Sequence, residues 1–231
     1  MANANLHEDK SCYITHDQRL ILLDLLKEPI IGSNFFLTGG TALSVFYLHH
    51  RCSNDLGLFT EAEVNLSELG FWIRKTWPGE ASFIKEDRHF LSFIIRETKV
   101  DFVFDFQPSK KKRIVYTFEN GRRLTVDTIS EIGSNKLCTC VSRTEPKDYI
   151  DFYFVMNNFK ELRLEDIYIM AQSKDAVFDD PPTAAYQIEE GIKFLRKNPL
   201  LLPKLKVVFD LDDFIRFFRQ LTQWIYNQVK L

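Results

Sequence analysis

The order of apolar and polar positions divides this chain into a first part that mixes two regular periods and a second part that keeps only one. Leu20, Ile21, Leu22, Leu25 and Leu26 recur at helical spacing and predict a helix over 18–28 that packs on the first strand. The short run Phe35-Phe36-Leu37 reads as that buried strand, Gly39-Gly40 as a tight turn, and 41–50 as a helix opening beside the turn. After the polar break Arg51-Cys52-Ser53-Asn54, residues 55–59 alternate as a strand, with Leu56 and Leu58 on one face and Asp55 on the other. An amphipathic helix at 67–77 precedes strands at 81–85, 90–96 and 99–106. In the last of these, Val100, Phe102, Phe104 and Phe106 form an apolar face opposite Asp101, Val103 and Asp105. Strands at 113–118 and 122–126 flank Glu119-Asn120-Gly121, which reads as a hairpin turn.

From Thr128 onward the helical period takes over. Asp127 or Thr128 can cap a helix running to Arg143, and Pro146 stands near the start of the next, which reaches Phe159. Further helices are predicted at 164–178, 183–197 and 210–230, with Asp179-Asp180-Pro181-Pro182 as the break before the second of these. In the last helix Phe214, Phe217, Phe218, Leu221, Trp224 and Ile225 recur at helical spacing, which suits core packing or a partner-helix groove better than base stacking. The pattern therefore predicts a mixed α/β domain over 1–127 and a helical domain over 128–231, without internal repeats.

Composition narrows the picture. With 231 residues and 45% hydrophobic content the chain can bury a substantial core, and its 21 phenylalanines are expected there. Thirty basic residues against 32 acidic ones give a formal charge of −2, which argues against a uniformly basic nucleic-acid binder. One local basic cluster remains, Lys110-Lys111-Lys112-Arg113 supported by Arg122-Arg123, either an RNA-backbone contact or a solvated loop. No run approaches the roughly 18 apolar residues of a membrane span, and the polar N-terminal stretch lacks a signal core, so a cytoplasmic location is expected. Cys12, Cys52, Cys138 and Cys140 are too scattered for a disulfide framework, and the Cys138/Cys140 pair lacks matching ligands nearby. His49 and His50, as adjacent helical residues, diverge and do not suit a shared ion; they suit the terminal carbonyls of their helix.

The candidate chemistry lies between residues 35 and 59. A Gly-Gly turn brings backbone N–H groups close to a phosphate, and a helix N-terminus favours the same anion. Phosphate-transfer chemistry also needs divalent cations to neutralise phosphate charge. Carboxylates two residues apart on a strand share a face with Cα atoms about 6.5–7 Å apart and reach one metal cluster. Here Asp55 is followed at that spacing by Gly57, while the strand at 99–106 offers Asp101 and Asp105 on one face, about 13 Å apart. Glycine inside a strand costs stability and packs nothing, so local folding does not explain Gly57.

These residues, GGTAL followed by HHR.S.DL.LF, then KVDFVFDF, then Lys136, Arg143, Lys147-Asp148 and Asp151 in SNKLCTCVSRTEPKDYIDFYFV, resemble the AbiEii-type toxin family of nucleotidyltransferases over residues 18–160. The resemblance implies a nucleotidyltransferase-like mixed sheet with flanking helices, followed by a helical C-terminal region. It implies transfer of a nucleotide from an NTP, with Mg²⁺ or Mn²⁺, onto an acceptor such as a tRNA end or other RNA, and a cognate antitoxin as partner. It makes Asp55 and Asp101 the metal-holding carboxylates, with Asp101 also placed to act as base. Asp55, Asp101, Lys136 and Asp148 become the catalytic set, and Gly39, Gly40, Thr41, Arg51, Ser53 and Arg143 the nucleotide-binding set. Lys136 and Arg143, seven residues apart, face the same way on a helix and are suited to phosphate charge.

Family members usually carry Asp where Gly57 stands. An engineered silencing change, a natural loss of activity, and a variant that manages with one metal on Asp55 all remain open, and Asp105 is a partial substitute. Two other functions stay in view: an NTP- or partner-binding protein that has lost catalysis, and a transferase acting on a small molecule such as an antibiotic.

Overall fold

β1 (Phe35–Thr38) is buried at every position, and the rest of the first unit is laid out around it. The computed structural model describes residues 6–106 and 112–229. The chain divides into two units, Met1–Thr128 and Ile129–Leu231. Before β1 run α1 (His16–Leu25) and the short α2 (Pro29–Asn34). Thr15 caps α1, its hydroxyl accepting the Gln18 N–H, and Ile21, Leu22 and Leu25 on its inner face are fully buried. After β1 come α3 (Gly39–Ala42), β2 (Asp55–Thr60), α4 (Leu66–Thr76), β3 (Ala81–Asp87), β4 (Phe90–Ile95), β5 (Thr98–Phe104), β6 (Ile114–Thr117) and β7 (Arg123–Val126).

The strands form one sheet in the order β3-β4-β5-β2-β1-β7-β6. β2 lies antiparallel to β1 and parallel to β5, while β1 is parallel to β7. Because side chains alternate along a strand, Leu56 and Leu58 of β2 and Val100 and Phe102 of β5 go fully into the core. Asp55 and Asp101 thereby share the other, partly open face. Phe35 and Phe102 meet edge to face beneath it, with centroids 5.4 Å apart.

Three expectations are corrected in this unit. The helix expected at 41–50 already starts at Gly39, and over Leu43–Leu48 it winds as a π-helix before ending at His49 in the left-handed conformation, φ 53°. The strand expected to reach Phe106 stops at Phe104. Phe106 is 64% exposed and packs on the His89 ring, 4.4 Å between centroids, instead of continuing the apolar face. Asp105 lies beyond β5, where its N–H donates to the Thr60 carbonyl at the end of β2 farthest from Asp55, so it does not stand in for a carboxylate at position 57.

The second unit consists of α5 (Ile129–Ser142), α6 (Pro146–Asn158), α7 (Leu164–Gln172), α8 (Pro181–Lys197) and α9 (Leu211–Tyr226). The helix expected over 164–178 breaks after Gln172, and a 3-10 turn at Ala176–Asp179 follows. Tyr168 donates its hydroxyl proton to the Phe178 carbonyl and so ties the two pieces together. Its core is aromatic: Tyr149, Phe152, Phe178, Phe214 and Phe218 are fully buried, each contributing on the order of 2–3 kcal/mol of apolar transfer. Phe214, Phe218, Leu221 and Ile225 of α9 all belong to this core. Gly191 on α8 is required by close approach, since a Cβ there would lie 1.9 Å from the Tyr149 hydroxyl. Among the described residues no helix is long and apolar enough to cross a membrane.

Candidate active site

Position 39 has a positive φ of 70°, which glycine adopts without a steric penalty, and the chain there leaves β1 and enters α3. Gly40 is needed for a different reason. A Cβ on it would lie 2.7 Å from Arg51 Nη2 and 3.1 Å from Ser53 Oγ, so the missing side chain is what lets both groups reach the turn. Arg51 is 4% exposed and donates from Nη1 to the Cys52 carbonyl at 2.9 Å. Thr41 Oγ1 lies 3.0 Å from Ser53 Oγ and donates to the carbonyl of Asp55. Gly40, Thr41, Arg51, Ser53 and the start of β2 therefore gather in one place, with Gly39 at its entry.

The acidic residues beside this cluster are set by the register of β2 and β5, in which Asp55 is opposite Lys99 and Gly57 is opposite Asp101. A Cβ at position 57 would find only ordinary contacts, 3.7 Å to the Phe59 ring and 3.8 Å to the Thr38 carbonyl, so neither space nor backbone conformation demands glycine. Asp101 is held by two side chains. Ser92 Oγ, directly across the β4–β5 pairing, donates to Oδ1 at 2.5 Å, and Lys99 Nζ donates to Oδ2 at 2.6 Å. Neither Ser92 nor Lys99 was among the expected site residues. The period-2 spacing of Lys99 and Asp101 was the available signal, since it puts both on one face.

A missed carboxylate is Asp127, expected only as a cap. It is 3% exposed; its Oδ2 accepts from Thr38 Oγ1 at 3.0 Å, and its Oδ1 accepts the Thr128 N–H at 3.0 Å. Arg113 Nε donates to the same Oδ1 at 3.3 Å, and Arg113 also pairs with Glu61. The Arg113 guanidinium lies 3.4 Å from the centroid of the Phe36 ring. This corrects the reading of Arg113 as part of a basic cluster that contacts an RNA backbone or forms a solvated loop: it is a largely buried, doubly paired cation packed on Phe36 of β1. Lys110 and Lys111 lie outside the described residues.

In the helical unit, Lys136, Arg143, Asp148 and Asp151 form one ion network. Lys136 Nζ lies 2.5 Å from Asp148 Oδ1 and 2.8 Å from Asp151 Oδ2, and Arg143 lies 2.8 Å from Asp148 Oδ2. Both carboxylates are completely buried, Lys136 is 7% exposed, and the Arg143 side chain is 53% exposed. Burial by itself would lower the Lys136 pKa, but Asp151 and Asp148 outweigh it and hold the ammonium above its ordinary value. Asp148 has each oxygen bound by a cation. Cys138 and Cys140 on the same helix take different environments, as their spacing predicts: Cys140 is buried, whereas Cys138 is partly exposed with its Sγ 3.8 Å from the Ala171 carbonyl. Burial pushes the Cys138 thiol up to about 11 and raises that of Cys140 as well.

Comparison with solved structures places the chain beside nucleotidyltransferases. It is 15% identical to MenT4, a nucleotidyltransferase toxin from Mycobacterium tuberculosis, with a TM-score of 0.54 over 91% of this chain and 84% of that one. It is 19% identical to JHP933 from Helicobacter pylori, with a TM-score of 0.53 over 93% of this chain and 94% of that one. The antibiotic-resistance factor ANT(2'')-Ia aligns at 11% identity and a TM-score of 0.50 over 72% of this chain and 96% of that one. At these identities the likeness is one of fold. No curated protein matches the chain. A family profile described as nucleotidyl transferase AbiEii toxin, type IV TA system, matches residues 20–198, a span that contains the Gly-Gly turn, the acidic face of β2 and β5, and the buried ion network. The chain thus belongs to the AbiEii family of nucleotidyl transferase toxins from type IV toxin–antitoxin systems.

Proposed function

We propose that this protein is a toxin-type transferase that moves a nucleotide from an NTP onto an RNA acceptor such as a tRNA end, at a level weakened by Gly57. The observation that carries this reading is the gathering of Gly40, Thr41, Arg51 and Ser53 beside the Asp55–Asp101 face. The backbone N–H groups of the Gly-Gly turn and the buried Arg51 suit the phosphates of an NTP, and the hydroxyls of Thr41 and Ser53 suit its terminal oxygens. Asp55 and Asp101 are hard oxygen donors on one face, with room for a Cβ between them at 57, which fits a Mg²⁺ or Mn²⁺ ion. When bound, that ion would supply charge neutralisation on the triphosphate. Asp101 would take the proton of the attacking hydroxyl at Oδ2, the oxygen that Lys99 now holds, so Lys99 must turn aside first. Lys136 and Asp148 would act as positioning residues: Lys136 is paired with Asp148 and Asp151, and the half-exposed Arg143 holds the other oxygen of Asp148.

One observation favours a second reading, a protein that binds NTP or an antitoxin but transfers nothing. Lys99 neutralises Asp101 on a face where Gly57 supplies no carboxylate. Incubating the chain and its Gly57→Asp variant with Mg²⁺, each labelled NTP and total RNA separates the two. Labelled RNA from both proteins, stronger with the variant, supports the transferase, and loss of label in Asp101→Ala ties it to this face. NTP binding without label from either protein supports the binding-only role. Label appearing only when an aminoglycoside replaces RNA would move the acceptor to a small molecule.

A further inference from the structure

Asp9, Cys12 and His49 bring a carboxylate oxygen, a thiol sulfur and a ring nitrogen to within 4.8 Å of one another. In the sequence 37 positions separate Cys12 from His49. The backbone joins them. The Asp9 N–H donates to the Val45 carbonyl at 2.9 Å, the Ser53 N–H donates to the Cys12 carbonyl at 3.1 Å, and Tyr13 pairs with Ser53 as a parallel bridge. Residues 9–13 therefore run beside the segment that carries His49, Arg51 and Ser53.

Two features of His49 call for a ligand. Its Nδ1 is sealed from solvent and has no hydrogen-bond partner among the described residues, whereas buried polar groups are ordinarily satisfied. Its backbone is left-handed, φ 53°, where the π-helix ends, a conformation of the kind found at ligand clamps. Cys12 is fully buried, with its Sγ 3.4 Å from Asp9 Oδ2. The His7 ring stands edge-on to His49 with centroids 6.0 Å apart.

We propose that Asp9, Cys12 and His49 bind one Zn²⁺ ion, which clamps the N-terminal segment to the chain carrying Arg51 and Ser53. Imidazole, thiolate and carboxylate together match zinc, whereas magnesium avoids sulfur. Zinc bond lengths put tetrahedral ligand atoms about 3.4–3.6 Å apart, so the group needs to contract by roughly 1 Å. Water takes the fourth position. Binding exchanges a proton for a metal bond: the Cys12 S–H gives its proton to the buffer, sulfur keeps the electron pair and donates it to zinc, and no redox partner is needed.

The test uses the full chain, stripped with a chelator and titrated with Zn²⁺, then with Co²⁺ as a spectroscopic stand-in. One equivalent bound, a thiolate-to-Co²⁺ charge-transfer band and a higher melting temperature with Zn²⁺ are the expected results. The band should vanish in Cys12→Ser and persist in Cys52→Ser, the other thiol on this side of the unit. Because Cys12 lies in the core, His49→Gln is the decisive second variant; its affinity for Zn²⁺ should fall at least tenfold while its circular dichroism stays native. Absence of the band, its survival in Cys12→Ser, its loss in Cys52→Ser, or unchanged affinity in His49→Gln would each overturn the proposal.

Discussion

Gly57 lies directly across the β2–β5 pairing from Asp101, and the space above it accepts a side chain. An aspartate there would point to the same face as Asp55 and Asp101, because residues two apart on a strand share a side. Gly57→Asp is therefore expected to fold, with a stability change within about 1 kcal/mol. Without metal the new carboxylate repels Asp101, and with Mg²⁺ the repulsion turns into a ligand set. Mg²⁺ should accordingly raise the melting temperature of the variant more than that of the parent chain, together with at least a tenfold gain in transfer. Equal Mg²⁺ responses in scanning fluorimetry would remove this account of position 57.

Gly40→Ala tests the phosphate cradle. The added methyl meets Arg51 Nη2 at 2.7 Å and Ser53 Oγ at 3.1 Å, both of them side-chain atoms that can shift. The expected stability loss is about 1–2 kcal/mol, within the range of mild overpacking. NTP affinity should fall by tenfold or more, about 1.4 kcal/mol, because the shift moves the groups that gather at the turn. Titration calorimetry with an NTP measures this, and unchanged affinity would separate these residues from phosphate binding.

The helical ion network should split into a structural and an accessible cation. Lys136→Met removes the ammonium that bridges the buried Asp148 and Asp151 and should cost about 3–5 kcal/mol in urea denaturation. Arg143→Ala removes a half-exposed side chain from an aspartate that Lys136 still holds, and should cost less than about 1 kcal/mol. If the two variants lose equal stability, the division of roles between them is wrong.

Alkaline pH should destabilise the helical unit through its thiols. The folded state holds Cys138 at about 11, above the ordinary 9.0, because burial disfavours the thiolate, and Cys140 is shifted the same way. An unfolded thiol releases its proton first, so this stabilisation is complete below about pH 9 and is lost as pH climbs through the folded value. Cys138 alone accounts for on the order of 2–3 kcal/mol across that window. Denaturation midpoints should stay level up to about pH 8.5 and then fall, and Cys138→Ala should flatten the fall. A slope untouched by that substitution would assign the alkaline loss to other groups.

The sequence was sufficient for the side-chain directions that repeat along each element. Period 2 put Leu56 and Leu58 opposite Asp55, period 3.6 put Phe214, Phe218, Leu221 and Ile225 on one buried face, and the Gly-Gly pair, expected as a tight turn, marked where β1 gives way to α3. Such patterns survive because side-chain direction repeats with the backbone itself. Strand ends were less legible: nothing local tells Phe104 from Phe106, since the strand stops where its pairing partner β2 stops at Thr60. Tertiary structure alone decided which carboxylate meets which cation. Arg113 on Asp127 and Phe36, and the meeting of Asp9 and Cys12 with His49, follow from strand register or from segments packed side by side. Charge pairing and metal coordination act over a few ångströms of space, and only the folded chain brings residues this far apart in sequence within that range.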